Sequence, residues 1–260
     1  MTDTLEHEVR AEHRDGVRWL ILDRPSSRNG LTVPVARRMS ALLAEAAADA
    51  TVRALVVYGA SGAFCSGADI KAAMSMEFDV ETSLSSLQDF NRALYHLPKP
   101  TVAAIDGAAA GFGADIALAC DVRLATEGSK LGQRFVGIGL MPDGGGTFLL
   151  PRIVGQGRAL ELIYSGRMVD AAEGERIGLF NAVQPAVGFR EAVQVYAAAL
   201  AAGPPMAYAT SKLALQRSFG DFDAALAVEA EHQLKLLASG DFTEGVQAFL
   251  MKRKPEFQGR

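Results

Sequence analysis

The stretch "GAAAGFGADIALACDV", residues 107–122, decides how this chain is read. Small residues run up to Gly111, Phe112 follows, and one carboxylate, Asp115, stands inside an otherwise apolar segment. Read as strand, turn and helix, the segment opens its helix near Gly111. The first N–H groups of a helix have no partner inside it, carry partial positive charge and suit an oxyanion. Bare backbone just before them lets a ligand carbonyl approach. Phe112 and Asp115 are three apart and share a helix face, so a carboxylate one turn beyond the anion site can exchange a proton with the bound molecule. Taken alone, the stretch is better read as close strand–helix packing around a satisfied buried aspartate.

Two further loops change that balance. "GAFCSGADIK", residues 62–71, also sets small residues ahead of a helix start expected at Ala68. Two N–H groups from two such loops can grip one carbonyl oxygen from both sides. "GLMPDGGGTFLLPR", residues 139–152, places Asp143 before glycines and an apolar helix. There Asp143 reads equally as a helix N-cap and as a catalyst. Neither of the first two loops matches a phosphate-cradling or dinucleotide-binding fingerprint, so a nucleotide site is not supported.

Outward from these loops, strands and helices alternate. "VRAEH" and "VRWLIL" flank "RDG", a hairpin signal. Thr32 and Pro34 begin a helix that runs to about Ala50. "VRALVVYG", "PTVAAIDG" and "DVRLAT" read as buried strands. Residues 74–82 read as a mobile loop and 83–96 as a helix. Beyond residue 188 the pattern is nearly all helical, with helices expected at 204–219, 223–238 and 242–251. The fold class is therefore α/β, with a core over residues 1–188 and a helical region over 189–260.

Composition narrows the function. The chain has 260 residues and a net charge of −4, which offers no basic footprint for a nucleic acid. Cys65 and Cys120 lie in apolar runs without a CxxC, as expected of buried reduced thiols in a cytoplasmic protein. The four histidines form no metal-ligand spacing, so no metal is expected. No run of uncharged apolar residues reaches the length of about 20 that a membrane span needs.

Together the segments "LDRPSSRNGLT", "GAFCSGADIK", "AAIDGAAAGFGADIALACDVRLAT", "LGQRFVGIGLMPDGGGTFLLPRIVG" and "FLMKRKPEF" resemble the crotonase superfamily, the enoyl-CoA hydratases and isomerases. The resemblance implies a ββα-spiral core, a helical C-terminal trimerisation region, and homotrimers or dimers of trimers. It implies an acyl-CoA thioester as substrate, with no separate cofactor. By position, the Ala68 and Phe112 N–H groups form the oxyanion hole. The segment Ala68, Asp69, Ile70 and Lys71 runs beside the CoA arm, and Arg24, Arg28 and Lys252 are candidates for its phosphates, the last from a neighbouring subunit. Each of those three cations reads as readily as a solvated surface charge.

The departures from the family pattern matter most. Typical hydratases use two glutamates. Asp115 holds the position of one, and Phe135, in "LGQRF", replaces the other. Asp143 fills a position used in isomerase-type chemistry, and "IGLMPDGGGT" resembles single-aspartate isomerases of the phenylacetate-degradation type. The leading expectation is an enoyl-CoA isomerase with Asp143 as proton shuttle and Asp115 assisting. The competing readings are a hydratase using Asp115 and Asp143, an aspartate-nucleophile dehalogenase, and a non-catalytic acyl-CoA-binding protein. The dehalogenase reading lacks a well-placed histidine. Asp121 is expected to cap or pair, Asp69 to order its loop, and Arg123 and Arg152 are candidate partners for such carboxylates.

Overall fold

A computed structural model of the chain describes residues 2–74, 79–217, 233 and 235–260. After α1 (Thr2–Glu8), the hairpin forms as expected from β1 (Val9–Arg14) and β2 (Val17–Leu22), which pair antiparallel. Asp15 and Gly16 both take positive φ at its two-residue turn, the twist that matches the flanking strands. In α2 (Val33–Ala48), Thr32 occupies the N-cap and Pro34 the first turn. The chain continues through β3 (Ala54–Gly59), β4 (Ala63–Cys65), α3 (Ile70–Met74) and α4 (Val80–Tyr95). Next come β5 (Thr101–Ile105), β6 (Ala108–Ala110), α5 (Phe112–Ala119), β7 (Val122–Thr126) and β8 (Lys130–Gly132). Then follow α6 (Gly146–Val154), α7 (Gln156–Ser165), β9 (Val169–Asp170), α8 (Ala171–Arg176) and β10 (Ala182–Gln184). Among the described residues the C-terminal helices are α9 (Phe189–Ala201), α10 (Pro205–Arg217) and α11 (Gly240–Met251).

The strands form two sheets, in the orders β1-β2-β3-β5-β7-β10 and β4-β6-β8-β9. Apart from the β1–β2 hairpin and the β8–β9 pair, all pairings are parallel. The long strands read as continuous apolar runs because both faces of the larger sheet are covered. Leu20, Leu22, Leu55 and Val57 point to a core shared with α2, α4 and α5. Trp19, Ile21, Ala54 and Val56 point the other way, onto Phe189, Val193 and Ala197 of α9. Thus α9, the first helix past residue 188, packs against the large sheet rather than apart from it.

Three departures from the sequence expectations have local causes. The helix expected at Ala68 starts two residues later, because Ala68 bridges Leu31 as extended backbone. The helix expected from 83 begins at Val80, where the Asp79 carboxylate accepts the Thr82 N–H at 3.1 Å. The loop expected over 74–82 is thereby shortened, and its residues 75–78 lie outside those described, as does most of the helix expected over 223–238.

The smaller sheet places the site. β4, β6 and β8 run parallel and side by side. Their C-terminal ends therefore deliver the loops at Gly67, Gly111 and Gln133 to one edge. Gly113 lets α5 sit close: a Cβ there would fall 2.2 Å from the Cys65 carbonyl oxygen.

Candidate active site

At that edge two backbone N–H groups, those of Ala68 and Phe112, are left without backbone partners among the described residues. The Leu31 N–H donates to the Gly67 carbonyl at 2.8 Å and the Asp69 N–H to the Leu31 carbonyl at 2.8 Å, which passes over the Ala68 N–H between them. Phe112 is the first residue of α5, so its N–H has no helical partner. Among the described residues neither N–H finds an acceptor. The two loops touch: a Cβ built on Gly67 would lie 3.2 Å from the Phe112 nitrogen. The Phe135 ring tip comes within 4.0 Å of a Cβ built on Gly111, and both Phe112 and Phe135 are buried. The second donor loop is thus flanked by apolar rings.

The first of these loops is braced by a residue the sequence reading passed over. Asn29 is fully buried at positive φ. Its amide donates to the carbonyls of Ala60 at 2.9 Å and Ala63 at 2.6 Å, and accepts the Arg24 N–H at 2.7 Å.

The two aspartates differ sharply. Asp115 is fully buried and both its oxygens are occupied: Gln133 Nε2 donates to Oδ1 at 2.7 Å, and the Gly144 N–H donates to Oδ2 at 2.9 Å. Burial is the main cause that pushes its pKa up to about 7; these two donors pull it down and the Asp143 charge pushes it further up. Glycine is required where the loop meets it. A Cβ at Gly144 would fall 2.8 Å from the Asp115 Cβ and 2.7 Å from the Phe112 ring.

Asp143 keeps a buried carboxylate oxygen, Oδ1, with no hydrogen-bond partner among the described residues. Burial raises its pKa above the ordinary carboxylate range. It does not cap α6. Gly145 occupies the N-cap, at φ 99°, with no side-chain cap bond. Its turn is instead gripped from α4, where Gln88 Nε2 donates to the Asp143 carbonyl at 2.8 Å and Asn91 Nδ2 to the Gly144 carbonyl at 2.6 Å. Sequence reading missed Gln88, Asn91 and Gln133. The only available signals were the three-residue spacing of the first two and the position of Gln133 directly after a short strand.

The candidate CoA contacts fare unevenly. Ala68, Ile70 and Lys71 are exposed at the mouth. Asp69 orders its loop by accepting the Ala72 N–H at 3.1 Å. Arg24 turns inward: its guanidinium lies 3.1 Å from the Glu8 carboxylate and 3.5 Å from that of Asp69, and it donates to the Gly30 carbonyl. Those partners neutralise the charge that was expected to meet phosphate. Arg28 is exposed beside the same loop, and its carbonyl accepts the Ser66 N–H. Lys252 belongs to the C-terminal segment, which Arg53 holds through the carbonyl of Phe257 while also donating to that of Gly203, between α9 and α10. Arg53 precedes β3, so this segment lies at the strand end opposite the Ala68 loop.

Outside the site, Asp121 accepts the Thr101 N–H and hydroxyl and pairs with Lys212. Among the described residues Arg123 pairs with no carboxylate; it donates to the carbonyls of Leu179 and Cys120 and to Asn181. Arg152 stacks on the Phe148 ring at 3.5 Å from the centroid. Cys65 and Cys120 are buried, and burial pushes both thiols up to about 12, so neither is a ready thiolate. Among the described residues no helix is long and apolar enough to cross a membrane.

Comparison with known proteins bears on this geometry directly. The family model described as "Enoyl-CoA hydratase/isomerase" matches residues 12–260. The chain belongs to the enoyl-CoA hydratase/isomerase family. A probable enoyl-CoA hydratase of Rhodobacter capsulatus is 41% identical, over 98% of this chain and 99% of that protein. An enoyl-CoA isomerase/hydratase of Mycosarcoma maydis is 35% identical, over 94% of this chain and 93% of its own length. The crystal structure of an enoyl-CoA hydratase from Bacillus anthracis superposes with a TM-score of 0.94 at 32% identity, covering 97% of this chain and all of the other. The protein is thus an enzyme of the crotonase superfamily, with that superfamily's α/β spiral core and C-terminal helices.

Proposed function

We propose that this crotonase-superfamily enzyme shifts a double bond within an enoyl-CoA, and that Asp143 alone carries the proton. The thioester oxygen sits between the Ala68 and Phe112 N–H groups, which stabilise the negative charge of the dienolate. Asp143 takes a proton from one carbon and returns it to another. One observation carries this reading: half-buried Asp143 keeps a carboxylate oxygen with no partner among the described residues, while both oxygens of fully buried Asp115 accept hydrogen bonds, from Gln133 and Gly144. Phe135 stands where a hydratase would hold its second carboxylate, and with Phe112 it limits access by water. Arg28 and Lys71 remain for the CoA phosphates, and no cofactor beyond the substrate's own CoA is needed. The exposed apolar residues Val246, Leu250 and Met251 of α11 suit a homotrimer or dimer of trimers, in which Lys252 reaches a neighbouring site. We place the enzyme in the cytoplasm.

The test is incubation with a 3-enoyl-CoA in deuterated water, with products resolved by mass spectrometry. The conjugated 2-enoyl-CoA with little 3-hydroxyacyl-CoA is expected. Dominant hydration would overturn the isomerase reading and favour a hydratase in which Asp115, about half ionised near neutrality, activates water beside Asp143.

Asp115→Asn separates the two readings. Asparagine can accept the Gly144 N–H and, once the Gln133 amide rotates, donate to its Oε1, which is buried and unpartnered. We expect isomerisation to survive within about threefold, against the loss of about 100-fold or more that a general-base role entails. Stability should gain a pH signature. Unfolded, Asp115 titrates at about 4, whereas folded it titrates at about 7. Between those values the native state holds the extra proton, so wild-type stability falls as pH rises through that window. The variant removes this contribution. Its thermal midpoint should exceed wild type by roughly 5 °C at pH 8, with the difference vanishing near pH 4. Scanning calorimetry at both pH values checks this.

A further inference from the structure

We infer that Gln88 and Asn91 of α4 are positioning residues that hold Asp143 in its proton-transfer pose. The inference rests on the assignment of Asp143 as the base. Three hydrogen bonds clamp two consecutive residues of the 143–146 turn. Gln88 Nε2 meets the Asp143 carbonyl at 2.8 Å and Asn91 Nδ2 the Gly144 carbonyl at 2.6 Å, while the Gly144 N–H meets Asp115 at 2.9 Å. The turn needs such a clamp. It contains consecutive glycines, Gly144 to Gly146, and α6 begins at Gly146 with Gly145 as an N-cap that offers no side-chain bond. Glycine backbone is the most permissive, so the glycines themselves leave the turn, and Asp143 with it, free to shift.

The clamp is also costly in a way that a packing role does not explain. Asn91 is buried at 4% exposure and its Oδ1 has no partner among the described residues. A buried amide used at one end only is a poor way to fill space. It is a good way to fix one carbonyl. Gln88 and Asn91 are three apart and share a face of α4. Leu84 and Val80, four and eight residues before Gln88, extend that face towards the N-terminus and are exposed at 37% and 62%. The helix face that grips the turn thus continues as an apolar surface, of the kind against which the hydrocarbon of an acyl group packs. An acyl group seated there would rest on the same rigid element that aims the base.

The test uses Gln88→Met, which keeps length and volume and loses the donor at a partly exposed position, together with Asn91→Leu. Isomerisation is measured across pH for wild type, Gln88→Met, Asp143→Asn and the double variant. A misplacement of about 1 Å can cost on the order of 100-fold in rate, so we expect kcat to fall about 10- to 50-fold in Gln88→Met. KM should stay within twofold and the circular-dichroism melting curve should be unchanged. The acid limb of the kcat profile should move down, as Asp143 swings towards water. In the Asp143→Asn background, Gln88→Met should cost nothing further, because its only route to the chemistry is gone. A Gln88→Met enzyme with wild-type kcat and pH profile, beside an inactive Asp143→Asn, would overturn the positioning role alone. A fully active Asp143→Asn would overturn the base assignment itself. A loss in Gln88→Met that recurs undiminished in the Asp143→Asn background would mark a structural effect and also overturn the inference. Asn91→Leu, where it folds, should repeat the Gln88→Met pattern.

Discussion

Asp143→Asn is expected to lower kcat for double-bond isomerisation by about 1,000-fold, within the range of about 100- to 10,000-fold that positioned general bases supply. The amide keeps the shape and cannot take a proton. Asp115 cannot substitute, because Gln133 and Gly144 occupy both of its oxygens and its place is fixed by the buried face of α5. The loss should fall on kcat with KM nearly constant, since Asp143 meets the reacting carbons and not the CoA arm. Folding should not suffer. Burial raises the Asp143 pKa, so the charged carboxylate is a burden to the native state that the amide removes. The thermal midpoint of the variant should match or exceed that of wild type at pH 8. The same shift shapes the wild-type pH profile. Asp143 is active as carboxylate, so kcat rises with pH through an apparent pKa above the ordinary carboxylate value of about 4, and Asp143→Asn should erase that limb. Absorbance of the conjugated thioester follows both. Retention of more than a tenth of wild-type kcat in the variant would end the single-base mechanism.

Which parts of this site could be read in advance follows from the range of the interactions. The hairpin was legible because its turn chemistry is local: Asp15 and Gly16 adopt the positive φ values the turn needs. The two donor loops were legible because small residues before a helix constrain only their own neighbourhood. The strand at the start of the first loop, β4, was not. It is three residues long, too short for a pattern, and exists through pairing with β6. The different duties of the two aspartates were equally hidden. Asp115 is saturated by Gln133, 18 residues away, and by Gly144, 29 residues away, and only the fold brings those donors together. Asp143 read as a cap or a catalyst until Gly145 took the cap. Arg24 offered itself to phosphate in the sequence, and Glu8 and Asp69 met it in the fold. Family resemblance carried the remainder, and it too works by position: it marks Phe135 as a lost glutamate and is silent on Gln88 and Asn91.

Gly67→Ala should damage the site nearly as much as loss of the base, although residue 67 offers no functional group. Gly67 sits at φ 92°, a conformation that a side chain strains by about 1–3 kcal/mol. The added methyl would also lie 2.9 Å from the Ala110 carbonyl oxygen and 3.2 Å from the Phe112 nitrogen. Both contacts are with backbone of the second donor loop, which β6 and α5 hold in place. The loops must part, or the first must twist. Either response moves the Ala68 and Phe112 N–H groups relative to each other. An oxyanion hole works only when both donors stand about 2.7–3.1 Å from one oxygen, and losing one donor costs about 100- to 1,000-fold in rate. We therefore expect kcat to fall at least about 100-fold. The thermal midpoint should drop by a few degrees, since strain of about 1–3 kcal/mol in a domain of this size moves it that little. A tight-binding enolate mimic provides the sharper measurement: its affinity should fall in step with kcat, because it draws on the same two donors, while affinity for free CoA stays the same. In Asp143→Asn, by contrast, mimic affinity should hold while kcat falls, because the donors are untouched. If Gly67→Ala left mimic affinity intact, the two N–H groups would not be acting on one oxygen, and the contact between the two loops would be a matter of packing alone.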